Sequence, residues 1–145
     1  MVRKIRRGLP RYERPEGELP KVPWEITDLH VNDLMQLMSQ LAAWANYVGM
    51  ELAEAEIAEK SADDIVERLV GRNGYDFRKP EAKVRAFEDE SYLGAIDTRR
   101  AAVEYRKRVA SLYSGVERDL FVVSRDLSRR TGIAPSEGRA NSHST

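Results

Sequence analysis

Arg106, Lys107 and Arg108 stand side by side in a stretch with helical periodicity. Successive helical residues splay by about 100° around the axis, so three consecutive cations cannot all face one neighbouring helix. At least one must point toward solvent or a ligand. Arg99 and Arg100 precede the cluster by about two turns, and Tyr105 and Tyr113 flank it. Cations beside aromatic rings suit single-stranded nucleic acid, with phosphates on the charges and unpaired bases on the rings. Tyr113 also falls in a heptad column, where packing is its simpler role. A second basic group straddles a glycine-containing break, with Arg68 and Arg72 before it and Lys83 and Arg85 after it. For Arg68 and Arg72 the negative end of a helix dipole is a sufficient structural explanation. A third group, Arg3, Lys4, Arg6 and Arg7, lies near the N-terminus. These side chains are the expected phosphate contacts, and many weak contacts add up on a polyanion. No DNA-reading motif is present, so base-specific readout is not expected.

Other chemistries find little to work with. The chain has no Cys, which removes thiolate nucleophiles, disulfides and Cys-ligated zinc. His30 and His143 lie far apart in sequence. Asp63 and Asp64 are adjacent and so occupy different helix faces. Glu88, Asp89 and Glu90 read as a solvated run, and Gly71 to Gly74 lacks the Lys and Ser/Thr of a phosphate loop. No catalytic residue, metal site or cofactor is expected, and the chain is read as a non-enzyme.

Something must position these cations, and the charge distribution shows where. The formal net charge is +0 over 145 residues, yet the signs are segregated. Residues 1–23 carry seven basic and three acidic side chains, a net of +4. Residues 28–77 carry ten acidic and three basic, a net of −7, and residues 99–130 carry nine basic and four acidic, a net of +5. Like charges on one element repel unless an opposite charge faces them. An acidic first helix lying against a basic second helix answers part of that demand. A nucleic-acid backbone or an acidic partner answers the rest.

The apolar pattern supplies the helices. Leu34, Leu41, Val48, Ala55, Ala62 and Leu69 form one heptad column, and Met38, Ala45, Leu52, Glu59 and Val66 the other. Only Glu59 breaks this seam, which demands a partner helix. Thr27 is the expected N-cap, Gly49 marks a kink or close approach, and Ser61 offers an alternative second start. Gly71 to Phe77 is the clearest break, with Pro80 opening the next helix. A second seam uses Ala102, Val109, Val116 and Val123 with Tyr113, Leu120 and Leu127, while Arg99 and Arg106 make its start polar. An interruption is expected near 91–94. The predicted architecture is all-α, a long antiparallel helical hairpin with coiled-coil character. A flexible basic Pro-rich arm spans 1–23, a helical domain 24–130 (helix 28–72, turn 73–79, helix 80–130) and a disordered tail 131–145. Leu34, Leu41, Val48, Leu52, Val109, Val116, Leu120, Val123 and Leu127 are the expected core or oligomer seam. Two helices bury little apolar surface, so a homo-oligomer, with a ring as one form, is expected. No apolar run is long enough to span a bilayer, which with the absent Cys reads as a cytoplasmic protein without a membrane partner.

The layout resembles phage recombination mediators of the UvsY type over roughly residues 30–130. Arg68-Leu69 stands just before the turn and Asp76-Phe77 closes it. Glu81-Ala82-Lys83 opens the next helix, Ser114-Gly115 lies inside the last, and the run Arg118 to Arg130 alternates apolar residues with Arg. The resemblance implies a helical protein that assembles into rings and binds single-stranded DNA. It also implies help for a RecA-like recombinase in displacing single-strand-binding protein, in a host cytoplasm if phage-encoded. By the same resemblance Arg68 matches a basic position that contacts DNA, whereas Val66 stands where that pattern has a second basic residue. The expected function is thus a single-stranded DNA-binding recombination accessory. The alternative is a helical protein–protein adaptor or phage scaffolding protein that uses the same heptads without DNA.

Overall fold

A computed structural model describes residues 11–132. The basic residues Arg3, Lys4, Arg6 and Arg7 and the tail from residue 133 lie outside the described residues. A 3-10 turn at Ile26–Asp28 leads into α1 (Val31–Asn73), followed by α2 (Pro80–Glu88) and α3 (Glu90–Thr131). No strand occurs among the described residues. The chain is all-α, and α1 and α3 form the antiparallel hairpin that the heptads predict. Of the expected seam, Leu34, Leu41, Val48, Val109, Val116 and Val123 are buried, and Leu52, Leu120 and Leu127 are half-buried.

Two compact units share these helices: Met1–Gly49 with Tyr113–Thr145, and Met50–Leu112. In the first unit, Leu34, Leu41 and Val123 are fully buried and are covered by Leu37, Met38, Leu120 and Leu127. Leu19 and Val22 pack on the same cluster. The arm is irregular from 11 to 23, as its prolines require, but this stretch is laid on the helices rather than free of them. Arg14 places its guanidinium 5.7 Å from the centre of the Trp44 ring, a cation–π contact. That cation therefore has a structural role.

The first unit is closed at its end by one buried acid. Asp126, 8% exposed, accepts hydrogen bonds at 2.8 Å from both Arg129 and Arg130. Arg130 also donates to the Ile26 carbonyl at 2.7 Å and to the Leu29 carbonyl. One guanidinium thus ties the end of α3 to the chain that enters α1. That entry differs from expectation, because Thr27 lies in the 3-10 turn and α1 begins at Val31. The Asn32 amide instead donates to Nδ1 of His30 at 3.2 Å, so a histidine serves as the cap. At Gly49, a Cβ would sit 3.2 Å from the Tyr113 ring. The glycine is a close approach, and α1 runs through it and through Ser61 without a break.

In the second unit the buried side chains are small: Ala55, Ala62, Val66, Ala82, Ala86 and Val109. α1 ends in a Schellman-type turn, with Gly74 at φ +64° and the Tyr75 amide donating to the Val70 carbonyl at 3.1 Å. The expected single helix from 80 to 130 is two helices, divided at Asp89 rather than at 91–94. Asp89 leaves helical geometry and turns its carboxylate onto the start of α3. There Oδ1 accepts the amides of Ser91 at 3.0 Å and Tyr92 at 3.2 Å. Its other oxygen accepts the Tyr75 hydroxyl at 2.6 Å and the Asn73 amide at 3.2 Å.

This bonding pattern gives a pH dependence with a definite sign. The Tyr75 hydroxyl, then the Tyr92 amide, hold the Asp89 carboxyl below its ordinary value of 3.8. The same bond raises the Tyr75 hydroxyl. A carboxyl depressed by folding contributes stability that is present above pH 3.8 and lost as pH falls through its folded value. The ring resonances of Tyr75 and Tyr92 are expected to shift together below that pH, and Asp89→Asn to abolish this response. An unchanged acid response in Asp89→Asn would contradict the assignment.

Candidate nucleic-acid interface

The structure sorts the expected phosphate contacts by what already neutralises them. Arg106 is half-buried and its Nε hydrogen-bonds to Glu59 across the hairpin. Glu59, which breaks the first seam, is therefore the partner of Arg106, one of the two cations that make the second seam polar at its start. Arg106 is held in a half-buried ion pair rather than free for a phosphate. Arg99 faces Asp63 at 3.8 Å, and Arg100 faces Asp97 at 3.7 Å along its own helix. Tyr105 points its hydroxyl toward Glu51 at 3.4 Å. Tyr113 packs over Gly49, and its hydroxyl is raised by a hydrogen bond to Glu117. Attraction between the acidic and basic helices is seen in the Arg106–Glu59 and Arg99–Asp63 pairs.

Lys107 and Arg108 remain. Both are exposed, and neither has a carboxylate within salt-bridge distance among the described residues. Between Arg99 and Arg108 the helix carries five basic residues against Glu104 alone. Lys107 lines an open depression of about 350 Å³ with Ile96, Arg99, Arg100, Val103 and Glu104. The pairs made by Arg99 and Arg100 are long and surface-exposed, a geometry worth about 0–1 kcal/mol. Their guanidiniums can therefore turn to an incoming phosphate at little cost. The rim offers point charges and forked donors over an aliphatic floor, which suits an anionic chain without base-specific readout.

At the turn, Arg68, Arg72, Lys83 and Arg85 are likewise exposed and, among the described residues, without an ion pair. Their field is weaker, because six acidic residues balance six basic ones from Glu67 to Glu90. Val66, the departure from the mediator pattern, is 4% exposed, so its side chain belongs to the core and a cation there would lose its hydration. Two exposed rings also stand in this region, Phe77 and Phe87. Phe77 belongs to an aromatic cluster with Tyr75 and Tyr92 at centroid separations of 5.6–6.2 Å. Sequence patterning did not single these rings out, because apolar residues near a turn read equally as core.

Among the described residues, no group of three His, Cys, Asp or Glu is placed to hold a metal ion. No helix among them is long and apolar enough to cross a membrane. Comparison with protein-family models, with curated proteins and with solved structures finds no match to this chain.

Proposed function

We propose that this protein binds single-stranded DNA and acts as a recombination accessory that helps load a RecA-like recombinase. The observation that carries the binding step is the unneutralised pair Lys107 and Arg108 beside the Arg-lined depression on α3. The recombination role rests on the resemblance of layout to UvsY-type mediators, by which Arg68 matches a DNA-contacting position; Arg72, Lys83 and Arg85 would add charge beside it at the turn.

Titrating a labelled oligothymidylate at several salt concentrations tests the reading. Affinity is expected to fall with salt at a slope of about −0.7 per phosphate neutralised. Lys107→Glu with Arg108→Glu is expected to weaken binding strongly and flatten that slope while thermal unfolding stays unchanged. Arg106 must be left alone in this variant, since changing it disturbs the fold. Absence of binding at low salt overturns the reading.

A second reading, a helical adaptor without DNA, draws on the exposed apolar side chains Val84 and Phe87 of α2. Large apolar side chains left in water on a short helix suit a protein partner. The double charge reversal separates the two, because an adaptor keeps its assembly state in that variant and shows no DNA affinity to lose.

A further inference from the structure

The first unit carries an apolar surface that neither its own core nor the nucleic-acid reading uses. On α3, Phe121 is 65% exposed and Val122 is 41% exposed. Arg118, Phe121, Val122, Arg125 and Arg129 recur at steps of three and four, so they share one face. Phe121, Val122, Arg125 and Arg129 line an open depression of about 280 Å³ with Ile26 and Asp126. Trp24, two residues before Ile26, is 98% exposed. Asp126 is the only acid in that lining, and its charge is already taken by Arg129 and Arg130. The surface is therefore apolar at its floor and cationic at its rim.

We infer that this face docks an acidic peptide segment with apolar anchors, supplied by a partner protein. The charge of the rim decides the sign of the partner. Arg118 and Arg125 are exposed with no carboxylate in salt-bridge distance among the described residues, and Arg129, paired with Asp126, still exposes most of its side chain. Guanidinium forks match carboxylates with two parallel hydrogen bonds. The floor decides the class. Ile26, Phe121 and Val122 make it apolar, and it accepts a Leu or Phe side chain; a base stacked on the Phe121 ring is the rival occupant that competition with oligothymidylate tests. Exposed Phe beside Arg is also the aromatic and Arg enrichment of protein interfaces. The DNA-binding step proposed above is carried by Lys107 and Arg108, which belong to the other unit.

The probe is a short fluorescein-labelled peptide of Asp and Glu with Leu and Phe at every third or fourth position, added to the full chain. Saturable binding below about 1 mM is expected. Arg125→Glu and Phe121→Ser are each expected to weaken it by about tenfold or more, without shifting thermal unfolding, because both side chains lie on the surface. Replacing Leu and Phe of the probe by Ser, or its acids by Lys, should weaken binding as much. Lys107→Glu should leave it unchanged. Four outcomes overturn the proposal. These are no saturable binding, binding indifferent to Phe121→Ser, displacement of the probe by oligothymidylate, and self-association of the protein that Phe121→Ser abolishes. The third would assign the face to nucleic acid and the fourth to a second copy of this chain.

Discussion

Replacing Asp126 by Ala is expected to destabilise the protein by about 3 kcal/mol, an unusually large effect for one polar side chain. The acid is 8% exposed and sits between two guanidiniums at 2.8 Å. Its removal leaves Arg130, 21% exposed at the side chain, with an uncompensated charge that still holds the Ile26 and Leu29 carbonyls. Breaking a buried pair from one side is costly because the remaining ion keeps its desolvation penalty. Arg129→Ala should cost less than about 1 kcal/mol, since that partner stands mostly in water. Asp126→Asn should fall between the two, because it keeps an acceptor and loses the charge. Urea unfolding followed by tryptophan emission reads the result, as Trp44 is buried in the same unit while Trp24 is already in solvent. Equal effects of Asp126→Ala and Arg129→Ala would show that the clamp on the 3-10 turn has no special weight.

Arg106→Glu is expected to cost about 2–3 kcal/mol, from the lost pair with Glu59 and the repulsion of two half-buried carboxylates. Adding Glu59→Arg restores the opposite sign across the hairpin and should recover most of the loss. Replacing both by apolar residues, as Glu59→Leu with Arg106→Met, should be near neutral or stabilising, as for other buried pairs exchanged for packing. If so, the pair serves alignment of α1 with α3 more than stability, like a polar residue in a coiled-coil seam. Thermal melts of the single, swapped and apolar variants decide this. A swap that recovers nothing would mean that the two side chains do not interact in solution.

This pair also shows how far the sequence could be read. The heptads of Leu34, Leu41, Val116 and Val123 announce both helices and the faces they bury. Glu59 and Arg106 appear in the same columns as separate flaws. Joining them requires the axial register between two helices, which periodicity along one chain does not contain. The division at Asp89 was hidden for another reason. Glu88-Asp89-Glu90 has the composition of a solvated helix surface, and only the fold brings Tyr75 and Asn73 to the central carboxylate. Leu19 and Val22 were obscured by their prolines, which exclude helix but not packing. The candidate site was partly legible. The splay of consecutive residues required at least one of Arg106, Lys107 and Arg108 to face away from α1 without saying which, and burial leaves Lys107 and Arg108 exposed. The Phe121 face likewise follows only from burial, since Phe121 and Val122 look like core in one dimension.

The side chains lining the two units differ in size, and this has a consequence for motion. The largest fully buried residues, Leu34, Leu41, Val116 and Val123, all belong to the first unit, while the second is closed mainly over alanines. A buried alanine contributes far less cohesion than a leucine, so the free energy of local opening is lower where Ala55, Ala62, Ala82 and Ala86 line the interior. The cations proposed to meet DNA stand on that readily opened part of the chain. Segments that must adjust to a flexible polyanion are drawn from such regions, and the acidic-peptide face rests on the part that stays closed.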